Sequence, residues 1–180
     1  MTPYFLWKKV LSDEVCDLLL NQTDWGKAED ATVIQGDGSA FDEEIRRTKI
    51  VWKETLTTVS CILAEYTRAA NHTGDWNFDL LFPEKTQMTK YLGSDKGYYD
   101  WHHDMVPTKS ANEPVRKLSC VALLTSDFEG GELQFAEEQN VLTERGSIVV
   151  FPSFVEHRVT PVTAGERITA VSWMLGPAFK

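Results

Sequence analysis

The chain contains four histidines, at positions 72, 102, 103 and 157, and two of them are adjacent within Tyr98-Tyr99-Asp100-Trp101-His102-His103-Asp104. His102 and Asp104 are spaced i, i+2. On an extended strand this spacing puts both side chains on one face, so an imidazole nitrogen and a carboxylate oxygen converge while His103 points the other way. One more ligand from elsewhere completes a two-histidine, one-carboxylate facial triad. That donor set holds non-heme Fe(II) and leaves positions open for a co-substrate and O2. His157 is the natural third ligand. The remaining histidine lies in Ala70-Asn71-His72-Thr73-Gly74, a polar run that reads as a helix end.

Arg167 follows His157 beyond a Pro161…Gly165 turn, so the pattern predicts it on the next antiparallel strand, facing the same interior. A guanidinium there can form a bidentate, charge-assisted pair with a carboxylate. Iron ligands combined with an inward arginine suggest a 2-oxo acid held between metal and arginine.

The elements that must position these residues follow from periodicity and punctuation. Ser12-Asp13-Glu14 predicts a helix start with Ser12 as N-cap, and Val15, Leu18, Leu19 and Gln22 mark one face. The charge run Phe41–Arg47 reads as a solvated surface; the lesser reading is that Arg46 or Arg47 reaches the mouth of the site. Trp52–Asn71 is the longest helical pattern, with Leu56, Val59, Ile62, Leu63 and Tyr66 at helical spacing. Strands are predicted at Trp76–Phe82, Gln87–Leu92, 98–104, Arg116–Thr125, Glu132–Phe135, Ser147–Phe151, Val155–Thr160 and Glu166–Leu175. Gly130-Gly131 is a turn device, since no helix start or Lys-Ser/Thr follows it to make a phosphate loop. Trp101 and Trp173 read as packing residues.

Strands separated by Gly, Pro and Asp turns, with helices confined to the N-terminal half, predict a mainly β, α+β architecture. It is an antiparallel double sheet, or jelly roll, with helical support. At 180 residues one domain is expected, with 1–74 as helical support and 75–180 as the catalytic core. The apolar fraction of 42% and charged fraction of 25% are those of an ordinary soluble globule. A formal charge of −9 repels phosphate backbones and disfavours nucleic acid as a partner. Cys16, Cys61 and Cys120 are widely spaced and read as buried free thiols. No signal peptide or spanning segment is evident, which points to the cytoplasm and away from membranes.

At these residues the chain resembles the 2-oxoglutarate/Fe(II) oxygenases, in the prolyl 4-hydroxylase-like branch, and is especially similar to bacterial PKHD-type hydroxylases. The matching pieces include Tyr91-Leu92-Gly93, Tyr99 to Asp104, Leu118-Ser119, Gly130-Gly131-Glu132-Leu133 and Phe151-Pro152-Ser153. The most specific is His157-Arg158-Val159-Thr160-Pro161-Val162-Thr163, followed by Gly165-Glu166-Arg167 and Trp173. The resemblance implies a double-stranded β-helix with His102, Asp104 and His157 as iron ligands. It also implies Arg167 as partner of the distal (C5) carboxylate of 2-oxoglutarate, Tyr91 as a co-substrate contact and Tyr99 as a pocket wall. Where some animal relatives supply a strand tyrosine to that carboxylate, this chain has Leu123, so another helper is expected, Thr169 or a water. The sequence stops at Lys180, short of the C-terminal segment of longer bacterial relatives.

The implied cofactors are Fe(II), 2-oxoglutarate and O2, with ascorbate in support. The implied reaction is hydroxylation of an unactivated C–H bond, with release of succinate and CO2. Its expected target is a prolyl or other residue of a protein or peptide. The alternatives are the same chemistry on a small molecule or free amino acid, and a non-catalytic jelly-roll binding module. Nucleic-acid demethylation is disfavoured by the acidic charge and by the lack of a second downstream arginine. Residues 105–115 are expected to act as a lid.

Overall fold

β-Branched and aromatic residues favour the pleated, half-buried surface of a sheet, and this chain is built mostly of such runs. The structure, a computed structural model, describes residues 3–35, 38–40, 44–105, 113–136 and 141–179. Its first part contains β1 (Phe5–Trp7), α1 (Asp13–Asn21), β2 (Glu29–Asp30), β3 (Val33–Gln35), β4 (Gly38–Ala40), β5 (Arg46–Arg47), β6 (Lys49–Lys53) and α2 (Thr58–Thr73). The second part contains β7 (Thr86–Leu92), β8 (Tyr98–His102), β9 (Val115–Leu123), β10 (Phe128–Gly130), β11 (Leu133–Phe135), β12 (Ile148–Pro152), β13 (His157–Val159) and β14 (Val162–Gly176).

Apart from the separate β3–β4 pair, the strands form two facing sheets. The major sheet has the order β1-β12-β9-β14-β7-β6-β2, with β10 pairing β14 off that path, and the minor sheet has the order β11-β13-β8-β5. Every pairing is antiparallel. Strand parity divides the major sheet cleanly. Leu118, Cys120 and Ala122 of β9 point outward, where Cys16 and Leu19 of α1 and Val59 and Leu63 of α2 cover them. Val121 and Leu123 point inward and meet Leu133, Phe135 and Val159 of the minor sheet. This is the mainly β, double-stranded β-helix architecture expected, with the helices on one outer face. Strands from both halves of the chain build it: β1, β2 and β6 extend the major sheet and β5 edges the minor one. No described helix is long and apolar enough to cross a membrane.

Ser12 caps α1 as expected, its Oγ accepting from Val15 N at 3.4 Å. Four local expectations are corrected. The helical stripe does not begin at Trp52: Lys49–Lys53 pairs with β7, and the helix starts only after the Glu54–Thr57 turn. Ile50 and Val51 are buried and Leu56 lies exposed, so reading Trp52 and Leu56 as one helical face mistook a strand and a turn for a helix. Residues 76–82 are not a strand. Asp75 and Asn77 take positive φ angles, and both the N–H and C=O of Phe78 are held by the Asn71 side chain. The segment touches β14 through single backbone bonds, Leu81 N to Leu175 O and Leu175 N to Phe82 O. Cys61 is exposed, unlike buried Cys16 and Cys120, and Leu18 faces solvent on α1. The expected lid at 105–115 falls largely outside the described residues.

Candidate active site

His102 of β8 and His157 of β13 are directly opposite one another in the minor sheet. Two residues further along β13, Val159 is opposite Tyr99, three residues back along β8, so β8 carries a bulge. The bulge changes which side chains share a face. Tyr99 and His102 would oppose each other on a regular strand; here their rings stack, with centroids 3.4 Å apart and planes 13° from parallel. The strand ends at His102, earlier than predicted. Asp104 lies in the following bend and is carried to the site because its N–H and that of Met105 both donate to Ser153 O, at 2.9 and 3.0 Å. The expected convergence of His102 and Asp104 therefore occurs, through a backbone clamp and not through strand parity. His103 is exposed, its ring nitrogen lying against Met105 O, and takes no part.

His102, Asp104 and His157 present donor atoms that all lie within 4.8 Å of one another. His102 Nε2 is 3.8 Å from Asp104 Oδ1, and His157 Nε2 is 3.7 Å from Asp104 Oδ2. These separations are too long for hydrogen bonds and suit three donors around a common centre. The other ring nitrogens fix the tautomers. His102 Nδ1 is 2.7 Å from Asp100 O and His157 Nδ1 is 3.0 Å from Val155 O. A carbonyl only accepts, so each Nδ1 carries the proton and each Nε2 lone pair faces Asp104. Burial, reinforced by His157, pushes His102 well below the usual imidazole range and keeps it neutral. Burial acts against ionisation of Asp104, but the neighbouring histidines, Arg116 and the Ser119 hydroxyl outweigh it and hold the carboxyl low. A neutral His102 and an ionised Asp104 are protonation states that a divalent metal requires.

Ser119 belongs to the Leu118-Ser119 pair that carries part of the resemblance, but no role for it follows from the sequence alone. Its hydroxyl donates to Asp104 Oδ2 at 2.7 Å, and it lies 2.9 Å from Ser153 Oγ, which must then donate to it. This fixes the carboxylate, as outer-shell partners of metal ligands do. Ser119→Ala should weaken divalent-metal affinity by about tenfold to a hundredfold. Titration of the metal-free protein with Co(II) or Mn(II) checks this; equal affinities would remove Ser119 from that role. Arg116 was missed as well. A second register shift, between β9 and β14, places it opposite Leu175. Its guanidinium lies 3.9 Å above the Trp173 ring, pairs twice with Glu84 at 2.7 Å and reaches Asp104 O at 3.3 Å. Trp173 is buried, as a packing residue should be, while Trp101 is 37% exposed with Arg158 over its ring.

Arg167 is opposite Tyr91 in the β14–β7 pair and is only 1% exposed. It does not follow β13 as a sheet neighbour: the chain turns at 160–161 and crosses into the major sheet, which runs unbroken through Gly165. Nε and Nη2 of Arg167 are buried without a hydrogen-bond partner among the described residues. Buried polar groups are seldom left this way. The guanidinium carbon is 5.3 Å from the Tyr91 ring centroid, and burial lowers the pKa of the group. An anion is the chemical complement of such a group. Gly131 makes room for the arginine: a Cβ there would fall 2.7 Å from Arg167 Cδ and 2.8 Å from Val162 Cγ2, at a φ of +62°. Gly131→Ala should therefore displace Arg167 and weaken 2-oxoglutarate binding by about tenfold or more, given strain on the order of 1–3 kcal/mol. A co-substrate titration of both proteins decides it, and unchanged affinity would show that the arginine tolerates the shift. Tyr91 is buried beside Arg167, and burial raises its phenol. Burial pushes Tyr99 up to about 12, so its hydroxyl stays protonated. Leu123 is buried opposite Thr169.

The family model of the 2OG-Fe(II) oxygenase superfamily matches residues 86–175, half of the chain. The chain belongs to this superfamily. The match takes in all three metal-ligand candidates of the oxygenase together with Arg167, Tyr91 and Tyr99. Over 89 residues the oxygenase is 39% identical to a PKHD-type hydroxylase of Alteromonas mediterranea, covering 45% of this chain and 39% of that protein. The matched part thus spans about two fifths of the relative's length. Two solved structures share the fold. One is a viral collagen prolyl hydroxylase from Paramecium Bursaria Chlorella virus-1 in its 2OG complex, with TM-score 0.75, 20% identity, and 97% of each chain covered. The other is a prolyl hydroxylase from Trichoplax adhaerens in complex with a hypoxia inducible factor peptide fragment. It has TM-score 0.71 and 18% identity, and the likeness covers 98% of this chain and 84% of that one. A 2OG-Fe(II) oxygenase needs a site for a metal and a dicarboxylate, and the triad and the orphaned Arg167 guanidinium fit those two groups in this one.

Proposed function

We propose that the chain is an Fe(II)- and 2-oxoglutarate-dependent dioxygenase that hydroxylates an unactivated C–H bond in a peptide or protein, with a prolyl residue as the first candidate. The observation that carries the reading is a buried guanidinium, with Nε and Nη2 unpartnered among the described residues, in the same inter-sheet space as two imidazoles and a carboxylate. His102 and His157 would hold Fe(II) through Nε2, and Asp104 through its carboxylate, with Ser119 fixing the latter. Arg167 would pair with the C5 carboxylate of 2-oxoglutarate, beside Tyr91, and Tyr99 would wall the pocket behind His102. The bound iron and co-substrate supply the oxidising power: 2-oxoglutarate, O2 and R–H give succinate, CO2 and R–OH. The protein contributes orientation and apolar surroundings, with the Phe151 ring 4.6 Å from that of His157, which limits water.

A peptide or protein substrate is supported by the two prolyl hydroxylases that share the fold, one of them bound to a peptide fragment. The setting proposed is the reducing cytosol, which keeps iron ferrous and suits the three free thiols, with ascorbate as a supporting reductant. The test incubates iron-loaded protein with 2-oxoglutarate and a host peptide extract, and reads products by mass spectrometry together with succinate. Peptides one oxygen heavier, modified at proline and matched by succinate, are expected. Hydroxylation confined to free amino acids would replace the peptide reading. Absence of succinate under every condition would favour a non-catalytic module.

A further inference from the structure

We propose that Arg46 is a second carboxylate-binding group of this site, and that the substrate to be hydroxylated carries a carboxylate near the carbon that reacts. The proposal rests on the dioxygenase reading above and adds the charge of the substrate to it.

Arg46 lies on the edge strand of the minor sheet, directly opposite Tyr99. Directly opposed residues of an antiparallel pair share a face. Tyr99 packs into the inter-sheet core, so Arg46 faces the same interior, and it is only 7% exposed. Its guanidinium carbon sits 4.5 Å from the centroid of the Tyr99 ring. The imidazole of His102 is stacked on that ring at 3.4 Å and fills one face, so the guanidinium takes the other. Tyr99 is thus a plate with a metal-ligand candidate on one side and a cation on the other.

Nε of Arg46 donates to Thr48 Oγ1 at 3.0 Å. Among the described residues no carboxylate pairs with Arg46. Arg116, by contrast, is held by both oxygens of Glu84. With Nε occupied, the terminal amino groups of Arg46 remain for a planar, two-oxygen partner.

Charge separates this group from the co-substrate anchor. Two positive charges come from the metal and one each from Arg167 and Arg46, less one for Asp104, leaving three. The dianion 2-oxoglutarate removes two of them, and its carboxylates are taken by the metal and by Arg167. One positive charge remains, on a side chain only 7% exposed, and a counter-charge would stabilise it. A carboxylate on the substrate supplies it. The chain as a whole carries −9 and repels acids, so an acid preference would be the work of the pocket and not of the surface.

The test uses the full chain loaded with Mn(II), saturated with 2-oxoglutarate and kept free of O2, so that binding is read without turnover. Proline-centred peptides with Asp or Glu beside the proline are offered with their Asn and Gln counterparts. A parallel set offers free amino and hydroxy acids with their amides. Retained molecules are counted by mass spectrometry for the wild type, R46Q and R46K, with melting curves for each. Wild type should retain acids over amides by about tenfold or more, R46Q should lose that ratio, and R46K should keep part of it. The dissociation constant for 2-oxoglutarate should stay within about twofold in R46Q. Should R46Q not fold, the partial ratio in R46K, with the fork replaced by a point charge, carries the same decision. Equal retention of acids and amides, retention of no acid at all, or an acid preference that survives loss of the guanidinium overturns the proposal. A tenfold or larger loss of 2-oxoglutarate affinity in R46Q also overturns it, by assigning Arg46 to the co-substrate. An acid preference seen only among the free acids upholds Arg46 and removes the peptide reading, so the two failures are distinct.

Discussion

Arg167→Ala should raise the apparent KM for 2-oxoglutarate by about two to three orders of magnitude, because removing one charged partner from a buried pair costs roughly 3–5 kcal/mol. The arginine is almost completely buried, and its Nε and Nη2 have no partner among the described residues. Its charge is therefore unmatched until a ligand supplies a carboxylate. A dicarboxylic 2-oxo acid brings a second carboxylate for it beyond the one beside the keto group, whereas pyruvate has no second one, so the variant should lose most of the discrimination between the two. Arg167→Lys should recover only part of the affinity, since a point charge replaces a two-pronged fork. Arg167→Met separates this role from a structural one. It keeps most of the volume over Gly131 while removing a buried unpaired charge, so the ligand-free protein should melt no lower than wild type. Succinate formation against co-substrate concentration, with metal content checked for each protein, is the measurement. A wild-type KM in Arg167→Ala would mean that the guanidinium is not the anchor.

That His102, Asp104 and His157 would come together and that Arg167 would face the interior was legible in the sequence, from residue types and from the motifs that carry the resemblance. What surrounds them was less so, for geometric reasons. Two bulges break strand parity where the site is built. One stacks Tyr99 on His102, and the other sets Arg116 opposite Leu175 and over Trp173. A bulge is one residue of slack in backbone pairing and leaves no mark on hydrophobic alternation. Ser119 was hidden for the opposite reason: within the apolar run of β9 a lone serine looks like filler, and only the approach of Asp104 from another segment gives it a partner. Arg46 was read with its charged neighbours as surface. Burial there is set by pairing with β8, a contact 53 residues distant in sequence (46 to 99), which local composition cannot report. The double sheet itself was readable because short apolar runs are punctuated by Gly, Pro and Asp turns. Trp52 and Leu56 were misassigned because a strand, a turn and a helix in succession placed apolar residues four apart.

His102→Ala and His157→Ala should each abolish tight Fe(II) binding, while His103→Ala should leave it within about twofold of wild type. Three donors converge on one centre, and two donors rarely hold a labile divalent ion against water. His103 is adjacent in sequence to two of them, yet it is exposed and turned against Met105 O. It therefore controls for any general effect of removing an imidazole from this stretch. Asp104→Asn is the stricter third variant. It preserves size and leaves an oxygen to accept from Ser119, but removes the negative charge that offsets the metal, and its affinity should fall nearly as far. His102→Ala also deletes the ring stacked on Tyr99, so melting curves of the metal-free proteins must accompany the titrations. Anaerobic Fe(II) titration, or Co(II) titration followed by absorption, gives the affinities. If His103→Ala lost the metal while His102→Ala kept it, the bulge in β8 would point the wrong imidazole inward and the site described above would have to be rebuilt around His103.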